Sequence, residues 1–320
     1  MRSALLPFAL VPTIASADVP NVSADIAPVA SLVSMVMGDL GAPTLLLAQG
    51  ISPHDAAMRP SQAKALQDSD IVVWIGSGLT PFLDDSIPKL APDATSIILL
   101  ELDAPETIEG GHDHSHGAHE DEHADEHDEH GDEHDDHDDE HDDKEEESHN
   151  IDAHAWLDPI NAVTWLDEIA LRLSETDPEN AATYAANASV AKADLIALND
   201  QLAATLAPVQ DVPFITYHDA FTYFTNHYGL SNEGALLDSD ADQPSAAHLT
   251  ELREHIEEDG IAYVLTEPQF DTRLIATLFE GRDVTSNMFD IFGSTLPLGA
   301  DLYGDMLRAG ADAIVGCKQS

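Results

Sequence analysis

The run PENAATYAANASVAKADLIALNDQLAATLAP, residues 178–208, decides how the rest of the chain is read. It is rich in Ala, holds no Gly, and carries Pro only at its two ends. Asp177-Pro178 is a helix-opening pair, because Pro at the first helical position lacks only an N–H that the helix would not use. About 30 helical residues at 1.5 Å each span ~45 Å, enough to cross from one domain to another as a stiff strut.

On either side of that strut, strand-like and helix-like segments alternate. Upstream, TLLLAQG, DIVVWIG and TSIILLEL are short apolar runs of the kind buried in parallel sheets. RPSQAKALQDS lies between the first two as a helix, and Thr80-Pro81 opens another, with Thr80 as N-cap. This rhythm continues to about Asp103. Asp158-Pro159 then caps a helix whose Val163, Leu166, Ile169 and Leu173 keep helical spacing. Downstream of the strut, VPFITYH, NEGALLD, IAYVLTE and DVTSNMFD read as strands. The helices DAFTYFTNHYG, SAAHLTELREHIEEDG, DTRLIATLFEG and LYGDMLRAGADAIVG accompany them. The expected fold class is therefore α/β, with two lobes joined by one long rigid helix. The expected boundaries are a signal peptide at 1–17 and an N-terminal lobe at 18–157. Helices follow at 158–208, including the linker at about 178–207, and a C-terminal lobe at 209–320. A cleft beyond the carboxyl ends of the strands is the expected ligand site.

The N-terminus carries an export signature. Arg2, the apolar run ALLPFALVPTI and the small residues Ala15-Ser16-Ala17 predict a signal peptide cleaved after Ala17, hence a periplasmic product. No Cys follows the apolar run, and no later segment approaches the ~18 apolar residues of a membrane span. The formal net charge is -49. A field of that sign excludes nucleic acid and anionic lipid as partners and attracts cations. Residues 110–149 are nearly all His, Asp and Glu, with no Leu, Ile, Val or aromatic residue, so this tract cannot build a core and is expected to be disordered without metal. It holds 20 acidic residues against one Lys, so most of the net charge lies outside it. The lone cysteine, Cys317, can make no internal disulfide.

Eleven of the 17 His residues lie in the tract, and six lie outside it. His54 follows the first strand by a short loop in GISPHDAAMRPS. His154 lies in DAHAWLDP, ahead of a capped helix, and His218 ends the strand VPFITYH. These three sit where loops converge on a cleft. His248 and His255, one heptad apart on an acidic helix, read as a solvated face, and His227 reads as a structural helix-end residue beside Tyr228. Zn²⁺ takes imidazole nitrogens in a tetrahedral shell, so three His need one further ligand. Glu267 in VLTEPQF and Asp290 in NMFDIFG both end strands, and spacing alone does not choose between them.

SPHDAAMRPSQAKALQDSDIVVWIGSGLTPFLD, DAHAWLDPINA, FITYHDAFTYFTNHYGL and LTEPQFDTRLI together resemble the ZnuA-like zinc-binding periplasmic proteins that feed ABC-type importers. The resemblance covers nearly all of the chain after residue 17, in the family's order, and a His/Asp-rich tract before DAHAWLDP is typical of the group. It implies two (β/α)4-type lobes with one metal in the interdomain cleft. The ligand motifs match at His54, His154 and His218, and the family's alternative fourth ligand matches at Asp290, with water or Glu267 as the other choices. Pro53 stands where some members place a Glu. Manganese-type relatives carry Glu at the third position, so His218 points to zinc, since imidazole suits Zn²⁺ better than Mn²⁺. Tyr263 stands where many members place the partner of a C-terminal Cys, so the family's disulfide is absent. The resemblance further implies an inner-membrane permease with its cytoplasmic ATPase as partners. A periplasmic metallochaperone and a monomeric state belong to the same expectation. The tract then reads as an auxiliary collector or sensor of zinc. The competing readings are a receptor for manganese or another divalent metal, a zinc storage or adhesion protein, and a zinc hydrolase with Glu267 as base.

Overall fold

The computed structural model describes residues 19–53, 58–102, 107–108, 151–237, 244–271 and 273–317. The expected signal peptide, the 110–149 tract and His54 lie outside them. Two parallel four-stranded sheets form the framework. Strands β1 (Val22–Ala24), β2 (Thr44–Leu45), β3 (Ile71–Trp74) and β4 (Thr95–Ile98) order as β2-β1-β3-β4. Strands β5 (Phe214–His218), β6 (Asn232–Leu237), β7 (Tyr263–Thr266) and β8 (Thr285–Met288) order as β6-β5-β7-β8. Every described pairing is parallel, as the continuous apolar runs predict for strands covered on both faces. The strand order reverses at β1/β3 in one sheet and at β5/β7 in the other, which sets the place for a crevice at the carboxyl ends.

The helices that connect and cover the sheets are α1 (Ala27–Met37), α2 (Pro60–Gln67), α3 (Phe82–Leu90), α4 (Pro159–Thr176), α5 (Ala181–Leu206), α6 (Thr222–Tyr228), α7 (Ala246–Asp259), α8 (Arg273–Leu278) and α9 (Leu302–Cys317). Asp158 caps α4, its carboxylate accepting from Ile160 N at 2.7 Å. Gly229 and Gly260 close α6 and α7 in the left-handed conformation. The strut α5 starts at Ala181, three residues later than the sequence pattern placed it. Pro178–Asn180 form a turn instead, because the buried Asp177 carboxylate accepts from Asn180 Nδ2 and from Tyr184 OH. Thr80 likewise departs from its expected capping role. Its buried hydroxyl lies 3.4 Å from Asp25 Oδ2 and from Gly76 O.

Helix α5 buries Tyr184, Ala188, Ala191, Leu195, Leu198, Leu202 and Leu206, a single stripe at steps of three and four residues. That stripe packs on α4, α9 and α1. One apolar cluster therefore runs from β1 and β3, through Trp156, Trp165 and Tyr184, to Phe221, Phe289 and Tyr303. Gly310 of α9 allows the closest approach in this cluster, since a Cβ there would stand 2.2 Å from the Phe289 ring. Cys317 is buried at the end of α9, where Asn287 Nδ2 lies 3.4 Å from its sulfur and burial pushes the thiol pKa up. A thiol raised in this way is a packing group rather than a nucleophile.

Candidate metal centre

The centre is built at the carboxyl ends of β5 and β7, the two strands that flank the switch point of the second sheet. His218 is the last residue of β5, and Glu267 follows the last residue of β7. Both are about 1% exposed, and His218 Nδ1 lies 2.5 Å from Glu267 Oε1. Glu267 Oε2 also accepts from Gln269 Nε2 at 3.0 Å. The second imidazole arrives from residues 151–158, a segment stitched back to the N-terminal half by Asp152 N donating to Ile108 O. His154 is 6% exposed. Asp152 Oδ1 accepts from His154 N at 2.9 Å and lies 2.8 Å from His154 Nδ1. The two imidazole rings stand 5.4 Å apart, edge to face.

Each imidazole thus has a carboxylate on Nδ1. That arrangement holds the proton on Nδ1, places the lone pair on Nε2 and fixes the ring plane. It is the outer-shell pattern of metal-binding His, and here it occurs twice in rings that face each other. The surroundings are apolar: Phe270 lies 5.4 Å and Phe221 6.4 Å from the His218 ring, and Trp156 lies 5.3 Å from that of His154. Low local polarity strengthens any ligand–cation attraction.

Asp290 occupies the loop after β8, beside this centre. Trp156 Nε1 donates to Ile291 O at 3.0 Å, and the Trp156 and Phe292 rings are 5.4 Å apart. The Asp290 carboxylate accepts from Ser294 Oγ at 2.7 Å and from Phe292 N and Thr295 N at 3.3 Å. His154, His218 and Asp290 do not form a set whose ligand atoms all lie within 4.8 Å of one another. Asp290 in this arrangement organises its own loop. The segment leading to His54 is tied to that same loop, because Gln49 Nε2 donates to Gly293 O at 2.8 Å and to Leu296 O at 3.0 Å. His54 itself lies outside the described residues.

Three contributors were not singled out in the sequence. Asp152 was legible in principle as the Asp two residues before His154. Asp219, directly after His218, is partly buried, and burial raises its pKa, with the Asp152 charge adding to the rise and the two imidazoles opposing it. Phe270 lacked any signal beyond its place after Glu267. His227 has the structural role expected of it. Its Nδ1 lies 3.1 Å from Asp158 Oδ2 and its Nε2 2.8 Å from Asn199 Oδ1, joining α6 to the start of α4 and to α5.

Residues 22–317 match the family described as "ZnuA: Zinc-uptake complex component A periplasmic". The chain is 47% identical over 306 residues to the high-affinity zinc uptake system protein ZnuA of Paracoccus denitrificans, covering 95% of this chain and 93% of that protein. Among solved structures it superposes on a crystal structure of ZnuA with a TM-score of 0.72, at 23% identity and covering 94% and 99% of the two chains. It also superposes on the solute-binding protein FpvC of Pseudomonas aeruginosa in complex with Mn²⁺, with a TM-score of 0.74, at 20% identity and covering 94% and 99%. At these identities the two structures show a shared fold. One of these structures is a ZnuA and the other holds Mn²⁺, so the shared fold alone does not name the metal.

Proposed function

The chain belongs to the family of periplasmic zinc-uptake complex component A proteins, and we infer that it captures Zn²⁺ in the periplasm and delivers it to an ABC-type permease with its cytoplasmic ATPase. The observation that carries this reading is the facing pair His154 and His218, each backed by a buried carboxylate on Nδ1. Two imidazoles so arranged favour a borderline-soft cation over one that prefers oxygen. We assign His54 as the third ligand, on the strength of its place after the Gln49 anchor. The fourth position goes to Asp290, which must exchange its Ser294 and Thr295 contacts to serve, with water or Glu267 as the alternatives.

The proposed activity is binding and release without catalysis. A zinc hydrolase would need an open position and a base beside it. The base candidate, Glu267, is already engaged by His218 and Gln269, which supports the receptor reading. Among the described residues no helix is long and apolar enough to cross a membrane. We propose export with cleavage after Ala17, a monomer, handover through a periplasmic metallochaperone, and the domain boundaries given above. Residues 110–149 act in this scheme as a collector that holds several ions in exchange. Ordering such a chain around one ion costs roughly 1–2 kcal/mol of backbone entropy per residue, against a cleft already assembled.

Metal-competition titration of the full chain and of a 110–149 deletion tests the scheme. One tight Zn²⁺ per chain is expected in both, with a lower total stoichiometry after deletion. Loss of the tight site on deletion would transfer the binding function to the tract. His54→Ala is expected to lower the tight affinity far more than His248→Ala, and equal effects would contradict the ligand assignment.

A further inference from the structure

A second group of ligand side chains lies at the other end of the C-terminal half. Among the described residues, Glu233, His255 and Asp259 offer three ligand atoms that all lie within 4.8 Å of one another. Glu233 is the second residue of β6, while His255 and Asp259 stand one turn apart on α7. The register of β5 and β6 pairs His218 with Leu237. Glu233, four residues earlier, is therefore ~13 Å along the strand from the level of His218, towards the opposite edge of the sheet. Asp259 is the last residue of α7, which puts it at that same edge. The group is thus separate from the His154–His218 centre.

Its geometry suits a cation. His255 Nε2 is 2.7 Å from Asp259 Oδ2 and 4.0 Å from Glu233 Oε2. Donor atoms of a tetrahedral zinc shell lie about 3.3 Å apart, given ligand bonds of about 2.0–2.1 Å, and the two separations bracket that value. The side chains of Glu233, His255 and Asp259 are partly exposed, at 30%, 44% and 49%, so an ion can enter and keep water in its remaining positions. Two further features keep the group in place. Glu233 Oε1 accepts from Ser231 Oγ, which orients the carboxylate. His248, one heptad before His255, binds Ala235 O through Nε2 at 3.0 Å and holds this face of α7 over β6.

The electrostatics point the same way. Helix α7 ends in Glu257-Glu258-Asp259, with no basic residue in its last turn. Acidic side chains at a helix carboxyl end face the negative pole of the helix dipole and are destabilised there, whereas a cation is stabilised. Arg282 pairs with Glu257 at 3.2 Å. The Glu233–His255–Asp259 group carries two negative charges against one imidazole, in a chain of net charge -49.

We propose that Glu233, His255 and Asp259 form a second, exchanging site for a divalent cation of the Zn²⁺ class. Glu233 Oε2, His255 Nε2 and Asp259 Oδ2 are the ligands, and water completes the shell. One imidazole and two carboxylates give a weaker, more readily emptied site than a cluster of imidazoles in an apolar cleft.

Peptide-resolved labelling of histidine with diethyl pyrocarbonate tests this on the full chain, with ZnCl₂ as the only added metal. Metal on Nε2 leaves the other nitrogen protonated and unreactive, so zinc is expected to lower His255 labelling at least fivefold. The protection should appear at higher zinc than saturates the tight site, while His248 labelling stays unchanged. In a Glu233→Gln, Asp259→Asn double variant, His255 labelling should remain within twofold of its zinc-free value, with an unaltered melting temperature. Unchanged His255 labelling in the unmodified chain, or equal protection in the double variant, overturns the site. Neither result bears on the cleft, whose residues are untouched.

Discussion

Replacing Glu267 by Gln separates metal affinity from fold stability at the cleft. Glu267 and His218 are each about 1% exposed, and their contact is 2.5 Å, so the carboxylate acts on the imidazole with little solvent screening. Gln keeps an oxygen that accepts from His218 Nδ1–H, so the ring orientation survives. What is lost is the negative charge that makes Nε2 a stronger donor. Such outer-shell replacements lower metal affinity about 10–100-fold. At 1.36 kcal/mol per decade that is about 1.4–2.7 kcal/mol.

The zinc-free fold responds differently. The substitution removes a buried charge whose desolvation opposes folding, and it retains the acceptor. The new amide meets Gln269 Nε2, which donates to Glu267 Oε2 in the native arrangement, and Gln269 must turn its oxygen inward. The expected melting temperature without zinc is therefore unchanged or slightly raised. The stabilisation produced by a fixed saturating zinc concentration should fall by the same 1.4–2.7 kcal/mol, about the affinity lost. Competition against a chelating dye at one zinc per chain measures the first quantity, and paired calorimetric melts measure the second. An affinity within twofold of the unmodified chain, with an equal zinc-induced shift, would refute the outer-shell role of Glu267.

Asp25→Asn should flatten the pH dependence of stability. Asp25 is fully buried at the end of β1 and its pKa is raised by burial from 3.8 to about 7, against opposing hydrogen bonds from Ile75, Ile26 and Thr80. Between those values the folded chain keeps a proton that the unfolded chain releases, so stability falls as pH rises through the window, by about 4 kcal/mol from this group. Urea unfolding at pH 5 and pH 8 checks this, and parallel profiles for the two proteins would refute it. Gly310→Ala should destabilise by about 1–3 kcal/mol, because overpacking against Phe289 at 2.2 Å outweighs the roughly 1 kcal/mol that Ala gains in a helix. A melting temperature at or above the original would show that Phe289 can move aside. Tyr184→Phe should cost about 1–3 kcal/mol by stripping a donor from buried Asp177, read by thermal unfolding.

Most of the framework was legible because its signals are local, whereas the three-residue β1 and the helix α1 that follows it were not read from the sequence. Apolar runs flanked by turn residues mark the parallel strands, and Asp158-Pro159, Gly229 and Gly260 mark helix ends through single-residue backbone preferences. His154 and His218 stood out for the same reason, one lying just ahead of a capped helix and the other ending a strand. Their carboxylate partners differ in legibility. Asp152 is two residues from His154, whereas Glu267 is 49 residues from His218, and only the β5–β7 pairing brings them together. Thr80 misled because a Thr before Pro has two uses, and a buried carboxylate 55 residues away took its hydroxyl. His255 keeps the solvated position expected of it, and what the sequence did not reveal is that Glu233 of β6 lies close to it and Asp259.

The arrangement of the core explains how the two imidazoles of the centre are held in place. One apolar cluster is continuous across both halves, and the segment that carries His154 is sewn into it. Trp156 and Leu157 are fully buried, Trp156 Nε1 holds Ile291 O in the loop after Asp290, and Tyr303 OH donates to Trp156 O at 2.7 Å. His154 therefore cannot move without displacing a tryptophan that also positions the Asp290 loop, and that loop in turn anchors Gln49 on the way to His54. The proposed ligands thus come from four separate stretches of chain whose backbones constrain one another. The facing pair His154 and His218 is set by folding before an ion arrives, so that part of the entropy of assembling a shell is not charged to binding. Held in this way, two imidazoles present fixed nitrogen donors, which suit a borderline-soft cation better than one that prefers oxygen.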